Sequence, residues 1–108
     1  MRLAAGIWVS AYLARLRGEG IPAFVVRRGD ETSGAVLVKL NTLDGRAVAF
    51  QRSFDLMTGE RLWSELVAGA EAEVDASVAK QQGFDPDLWV IEVEDKAGRH
   101  LLDQPGLS

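Results

Sequence analysis

The chain has 108 residues, of which 47% are hydrophobic and 26% charged, the balance of an ordinary globular domain that buries one core without disulfide or metal staples. It holds no cysteine, which excludes disulfides, thiolate–zinc sites and thiol nucleophiles together, and one histidine, His100. Net charge is −4 and unevenly spread, with nine basic and six acidic side chains in residues 1–61 against three and ten in 62–108, and no basic block of the kind that grips phosphates in bulk.

Met1-Arg2 followed by Leu3-Ala4-Ala5-Gly6-Ile7-Trp8-Val9 has the outline of a secretory leader. Ser10, Arg15 and Arg17 interrupt the apolar run, and no small-x-small cleavage site follows. The segment reads instead as a helix over 7–17, with Trp8, Val9, Tyr12, Leu13 and Leu16 on one stripe at about 100° per residue. Gly18-Glu19-Gly20 ends it through a left-handed turn, and Ile21-Pro22 forces the chain extended. No stretch approaches the roughly 18 apolar residues of a membrane span. A chain with neither cysteine nor leader is expected in the cytoplasm, away from membranes.

Three short apolar runs follow. Residues 23–28 form the first predicted strand; Gly29–Gly34 turns the chain; 35–41 form the second. Asp44-Gly45 closes a hairpin, because that step tolerates positive φ, and 46–52 form the third strand. Connections this short imply antiparallel neighbours. Ser53–Glu60 reads as a loop. Residues 61–67 lack clean alternation, and the balance between helical turn and strand favours strand. Residues 70–82 form a helix rich in Ala, Glu, Lys and Gln, with Val74 and Val78 as a thin stripe and Gly83 as its cap. Residues 88–94 alternate, Trp89, Ile91 and Val93 against Leu88, Val90, Glu92 and Glu94. After the turn at Asp95–Gly98, Arg99–Leu102 read as a short edge strand and 103–108 as a frayed tail.

This order predicts one α+β domain over residues 1–108: an antiparallel sheet of four to five strands with two helices packed on one face. The expected core is Trp8, Tyr12, Leu16, Val36, Val38, Leu40, Val48, Phe50, Trp89, Ile91 and Val93.

Three groups of side chains could carry chemistry. Asp85, Asp87, Glu92, Glu94 and Asp95 are the densest carboxylates, as an acid–base pair or a hard-cation site would need. Turn chemistry at Asp85-Pro86-Asp87 and the polar face of a half-buried strand explain them more simply. His100 lacks a second ligand or a Gly-x-Ser-x-Gly nucleophile and reads as a solvated side chain. Arg27, Arg28, Lys39, Arg46 and Arg52, with Phe24 and Phe50 nearby, could form a basic face for single-stranded RNA. The core-like placement of both Phe residues and the acidic balance of the chain argue against nucleic acid. Arg28-Gly29-Asp30 spells an integrin-binding tripeptide but sits where a hairpin turn is needed. Trp8, Trp63 and Trp89 read as packing anchors.

At Gly6–Leu13, Val26–Asp30 and Phe84–Asp95 the chain resembles a family of small uncharacterised proteobacterial proteins. The resemblance implies a stand-alone bacterial domain and supplies no activity, cofactor or catalytic residue.

With no catalytic constellation, cofactor or metal signature in view, the sequence favours a non-catalytic interaction module whose partner is another protein or a second copy. A carboxylate-dependent enzyme built on Asp85–Asp95 and an RNA binder built on Arg27, Arg28, Arg46 and Arg52 are the alternatives. If no helix covers Leu37, Leu88 and Val90, that face, with Leu101 and Leu102, would favour a two-fold homodimer.

Overall fold

The computed structural model describes residues 3–107. Helix α1 (Ala5–Gly18) buries Trp8, Val9, Tyr12 and Leu16 of the stripe expected from the sequence, with Leu13 partly buried beside them. It ends as its glycines require: Gly20 adopts φ 71°, its N–H donates to Arg17 O, and the Ile21 N–H donates to Leu16 O. Strands β1 (Ala23–Arg27), β2 (Val36–Asn41), β3 (Arg46–Phe54) and β4 (Arg61–Ala70) follow, then helix α2 (Glu71–Phe84) and β5 (Trp89–Glu94). The five strands form one sheet in the order β1-β5-β2-β3-β4.

The last strand is therefore inserted between the first and the second. β5 pairs antiparallel with β1 but parallel with β2, so one pair departs from the all-antiparallel expectation. The crossover is supplied by α2, which carries the chain from the β4 edge back to the sheet centre.

The α+β class and the strand number are as expected; the helices are not on one face. Val36, Val38 and Leu40 of β2 and Trp89, Ile91 and Val93 of β5 pack with α1. Leu37 and Val90, on the opposite side of the same strands, pack with Val74 and Val78 of α2 together with Ala47, Ala49 and Leu88. All six residues of β2 are buried. The near-continuous run Val36-Leu37-Val38 belongs to a strand covered on both sides, as strands with parallel neighbours commonly are. Leu37, Leu88 and Val90, the surface on which dimerisation was expected, lie beneath α2.

β4 is a strand throughout, and its broken alternation has a local cause. Ala49 pairs with Val67 but Phe50 pairs with Glu65, so Leu66 is an extra bulged residue. Leu66 and Val67 consequently both pack toward α2. β3 runs on past its expected end to Phe54, which pairs with Arg61, so the 53–60 loop is reduced to the turn between them; β4 begins at Arg61 as expected and runs on to Ala70. Helix α2 passes Gly83 to Phe84 and stops at Asp85, whose extended backbone is what the following Pro86 imposes.

The expected core is buried except for Val48 and Phe50, which are half-buried. Residues 99–102 form no strand, because Leu101 takes a left-handed backbone (φ 62°). The following segment is not frayed either: Leu101, Leu102 and Leu107 join the α1 core, and the Trp63 indole N–H donates to Leu107 O at 2.7 Å. Ser108, the end of the expected tail, lies outside the described residues, as do Met1 and Arg2 of the leader-like segment.

Candidate functional site

The carboxylates singled out in the sequence do not converge. Asp85 and Asp87 precede β5, whereas Glu94 is its last residue and Asp95 follows it, a separation of roughly 20 Å for a strand of this length. Asp85 Oδ1 accepts the Asp87 N–H at 3.0 Å, an Asx turn that delivers the chain into β5. Asp95 accepts the backbone N–H and the guanidinium of Arg99, which hold its carboxyl below the usual range. No group of three or more His, Cys, Asp or Glu side chains among the described residues is placed to hold a metal ion.

Glu92 belongs to a different cluster, one that the sequence did not single out. Lys39 is buried between the sheet and α2, its ammonium 2.7 Å from Glu71, 2.6 Å from Asp75 and 3.3 Å from Glu92. Asn41 Nδ2 donates to the same Glu71 oxygen at 3.1 Å. Burial alone would push the Lys39 ammonium down; three carboxylates outweigh it and push it up. A lysine held charged in this way is no base or nucleophile at neutral pH. The cluster fastens α2 to the sheet.

The arginines do not share a face. β5 and β2 separate Arg27 from Arg46, and Arg27 donates to Gln82 O and Pro86 O at the end of α2. Arg28 pairs with Glu31 on the surface, 5.6 Å over the Trp89 ring. The Arg52 guanidinium lies between the rings of Trp8 and Trp63, at 4.7 and 4.9 Å. Phe24 is an edge residue, 46% exposed, and not core. Asp30 of the Arg-Gly-Asp tripeptide is fixed in its turn: its carboxylate accepts the N–H groups of Thr32 and Ser33, and its carbonyl accepts the Trp89 indole N–H.

His100 is half-buried against Phe50, ring centroids 4.7 Å apart. Its Nδ1 accepts the Leu102 N–H at 3.0 Å, and its carbonyl accepts the Tyr12 hydroxyl at 2.8 Å. Burial holds the imidazole below its ordinary range despite the opposing pull of Asp103. It shares a shallow hollow of about 530 Å³ with Trp63, Leu102 and Asp103.

A larger cleft, about 670 Å³, opens at the end of the sheet where the start of α1, the start of β2, the end of β3 and the end of α2 meet. Leu3, Ala5, Val36, Leu37, Phe54 and Leu88 supply its apolar lining, and Thr32, Ser33, Gln81 and Asp85 are among its polar positions. Beyond Phe54 and Arg61, which also line it, stands the turn between β3 and β4.

That turn is built to hold its shape. Asp55 Oδ1 accepts the N–H groups of Met57 and Thr58, Asp55 N–H donates to Glu60 O, Gly59 N–H donates to Asp55 O, and Glu60 N–H donates to Thr58 Oγ1. The side chains it carries to solvent are apolar: Leu56 is 99% exposed and Met57 93%. The signal was present in the sequence, since Leu56-Met57 are adjacent apolar residues inside a turn that needs neither.

Residues 3–103 match the family described as Protein of unknown function (DUF1491). The chain belongs to the DUF1491 family. A crystal structure of a DUF1491 protein from Caulobacter crescentus is 39% identical, with 97% of each chain covered and a TM-score of 0.83. A solution structure of a DUF1491 protein from the same organism is 40% identical, covering 97% of this chain and 96% of that one, with a TM-score of 0.82. A structural-genomics target from A. tumefaciens is 31% identical, covering 87% and 86%, with a TM-score of 0.73. No curated protein matches the chain. The proteobacterial resemblance read at both ends of the sequence is thus that of DUF1491, whose description assigns no activity.

Proposed function

We propose that this DUF1491 protein is a non-catalytic interaction module of the bacterial cytoplasm that docks an apolar segment of another protein at the cleft end of its sheet. The observation that carries the reading is the turn at residues 55–60, hydrogen-bonded on itself yet displaying Leu56 and Met57 almost fully to water. An ordered apolar protrusion beside an apolar-lined cleft is what a protein partner covers. A small molecule within the cleft would leave the protrusion wet. Methionine suits such a surface, its unbranched thioether adapting to the partner's shape.

The test is photo-crosslinking in the native host, with a photoreactive residue at position 56 and, as control, at the exposed Ala72 of α2. A discrete adduct from position 56, absent from position 72 and lost on Met57→Asp, is expected. Equal labelling from both positions, or none from 56, would sink the proposal.

A further inference from the structure

β1 lies at one edge of the sheet, and its exposed side chains Phe24, Val25 and Val26 are all apolar. Sheet edges of this kind are usually blunted by proline, by charge or by bulges. Pro22 does not blunt this one. The Glu94 N–H donates to Pro22 O, so the main-chain groups of residue 22 point inward at β5. Antiparallel ladders alternate, so Phe24, opposite Glu92, also points its N–H and C=O inward, while those of Ala23 and Val25 point out of the sheet. The proline therefore removes a donor from the paired side and leaves the free side whole. The bulge between Val25 and Arg27 confines the regular edge to Ala23–Val25.

That edge is self-complementary. We infer that two copies of the chain pair antiparallel through β1, with the two-fold axis at Phe24, joining two five-stranded sheets into one. Ala23 of one copy then forms a hydrogen-bonded pair with Val25 of the other, and the reciprocal pair repeats it, so every outward N–H and C=O of these residues is matched. Phe24 meets its own symmetry mate in a non-hydrogen-bonded pair, where side chains approach most closely, and covers apolar surface that is now wet. Charge agrees with the register. Antiparallel pairing brings Arg28, past the end of one strand, alongside the head of the other, where the exposed Glu19 caps α1. The occupant is a second copy because this short edge fits its own two-fold-rotated copy in hydrogen bonding, side-chain size and charge at once. The contact is small, so dimerisation in the micromolar range is expected. It lies on β1, far along the sheet order from the β3–β4 turn, and stands or falls independently of the docking proposed there.

The absence of native cysteine makes the geometry directly testable. Under mild oxidation of the folded full chain, Phe24→Cys is expected to crosslink to a covalent dimer, because the Cα atoms of a non-hydrogen-bonded antiparallel pair lie about 4.5 Å apart, within the span a disulfide bridges. Ala72→Cys on α2 is expected to remain monomeric. Sedimentation of the unmodified chain should show a reversible dimer, lost in Phe24→Arg and weakened in Arg28→Glu, with Glu19→Arg restoring the latter. Circular dichroism of each variant confirms that it is folded. A chain monomeric throughout the micromolar range, or a dimer unaffected by Phe24→Arg with no crosslink at position 24, overturns the inference. Neither result bears on crosslinking from position 56.

Discussion

The Lys39 ammonium lies 2.6 Å from the Asp75 carboxylate, and this contact ties the most buried strand of the sheet to the first turns of α2. It explains how a lysine occupies the middle of a strand that is otherwise apolar up to Asn41. Lys39→Met removes the one cation from among Glu71, Asp75 and Glu92. Breaking a buried ion pair costs several kcal/mol, and the partial exposure of Asp75 and Glu71 reduces this to about 1–3 kcal/mol. Urea unfolding measures it. Adding Glu92→Gln should recover part of the loss, since Glu92 is the least hydrated of the three.

Alkaline pH should unfold the protein through two residues. Lys39 titrates above its ordinary value because of its carboxylates, and Tyr12 above its own because it is buried. For both, the stabilisation is complete below the unfolded-state pKa, about 10, and is lost as pH rises above it. Urea midpoints followed upward from neutral pH should fall there in the parent chain. They should fall less in Tyr12→Phe and in Lys39→Met.

His100 predicts the opposite slope on the acid side. Its pKa is depressed by burial, so its contribution is present above the unfolded value of about 6.5 and is lost as pH falls through the lower folded value. His100→Asn offers an amide oxygen to the Leu102 N–H and no titrating group. Its stability should be flatter across this range in thermal melts.

Trp89→Ala should cost about 3–5 kcal/mol, since Trp89 is buried in the core under α1 and its indole N–H holds Asp30 O at 2.8 Å. A loss below about 1 kcal/mol in denaturant titration would contradict the register of β5.

The segment after β5 should prove structural. Leu107 is 2% exposed, and Leu107→Ala should cost roughly 2–4 kcal/mol. Hydrogen exchange should slow at Leu102, whose N–H is held by the His100 ring.

Local patterns read the elements well and their arrangement poorly. The stripe on α1, the alternation of β5 and the Asp44-Gly45 turn are properties of neighbouring residues and are visible in a single chain. The placement of β5 beside β2 is not, because a parallel neighbour is chosen by burial on both faces and not by the turn before it. Leu37 and Val90 read as an uncovered face only while α2 is assumed to lie with α1. Leu107 reads as frayed because Pro105 and Gly106 beside it are turn-formers, and nothing local announces that Trp63 holds it. Lys39 reads as one cation of a basic face, since its three carboxylates come from α2 and β5, distant in sequence.

Placing the last strand in the middle has a consequence for how the molecule is made. Until β5 has been synthesised, β2, β3 and β4 can zip together in sequence, but β1 has no strand beside it in its own chain, because among the described residues it pairs within the sheet with β5 alone. A growing chain that has reached the end of α2 holds a three-stranded fragment and a loose apolar strand, Phe24-Val25-Val26, with nothing to pair with. Loop closure from β1 to β5 spans most of the chain, which makes the final step slow relative to the hairpins. During that interval the β1 segment is the part of the nascent polypeptide that a chaperone would hold.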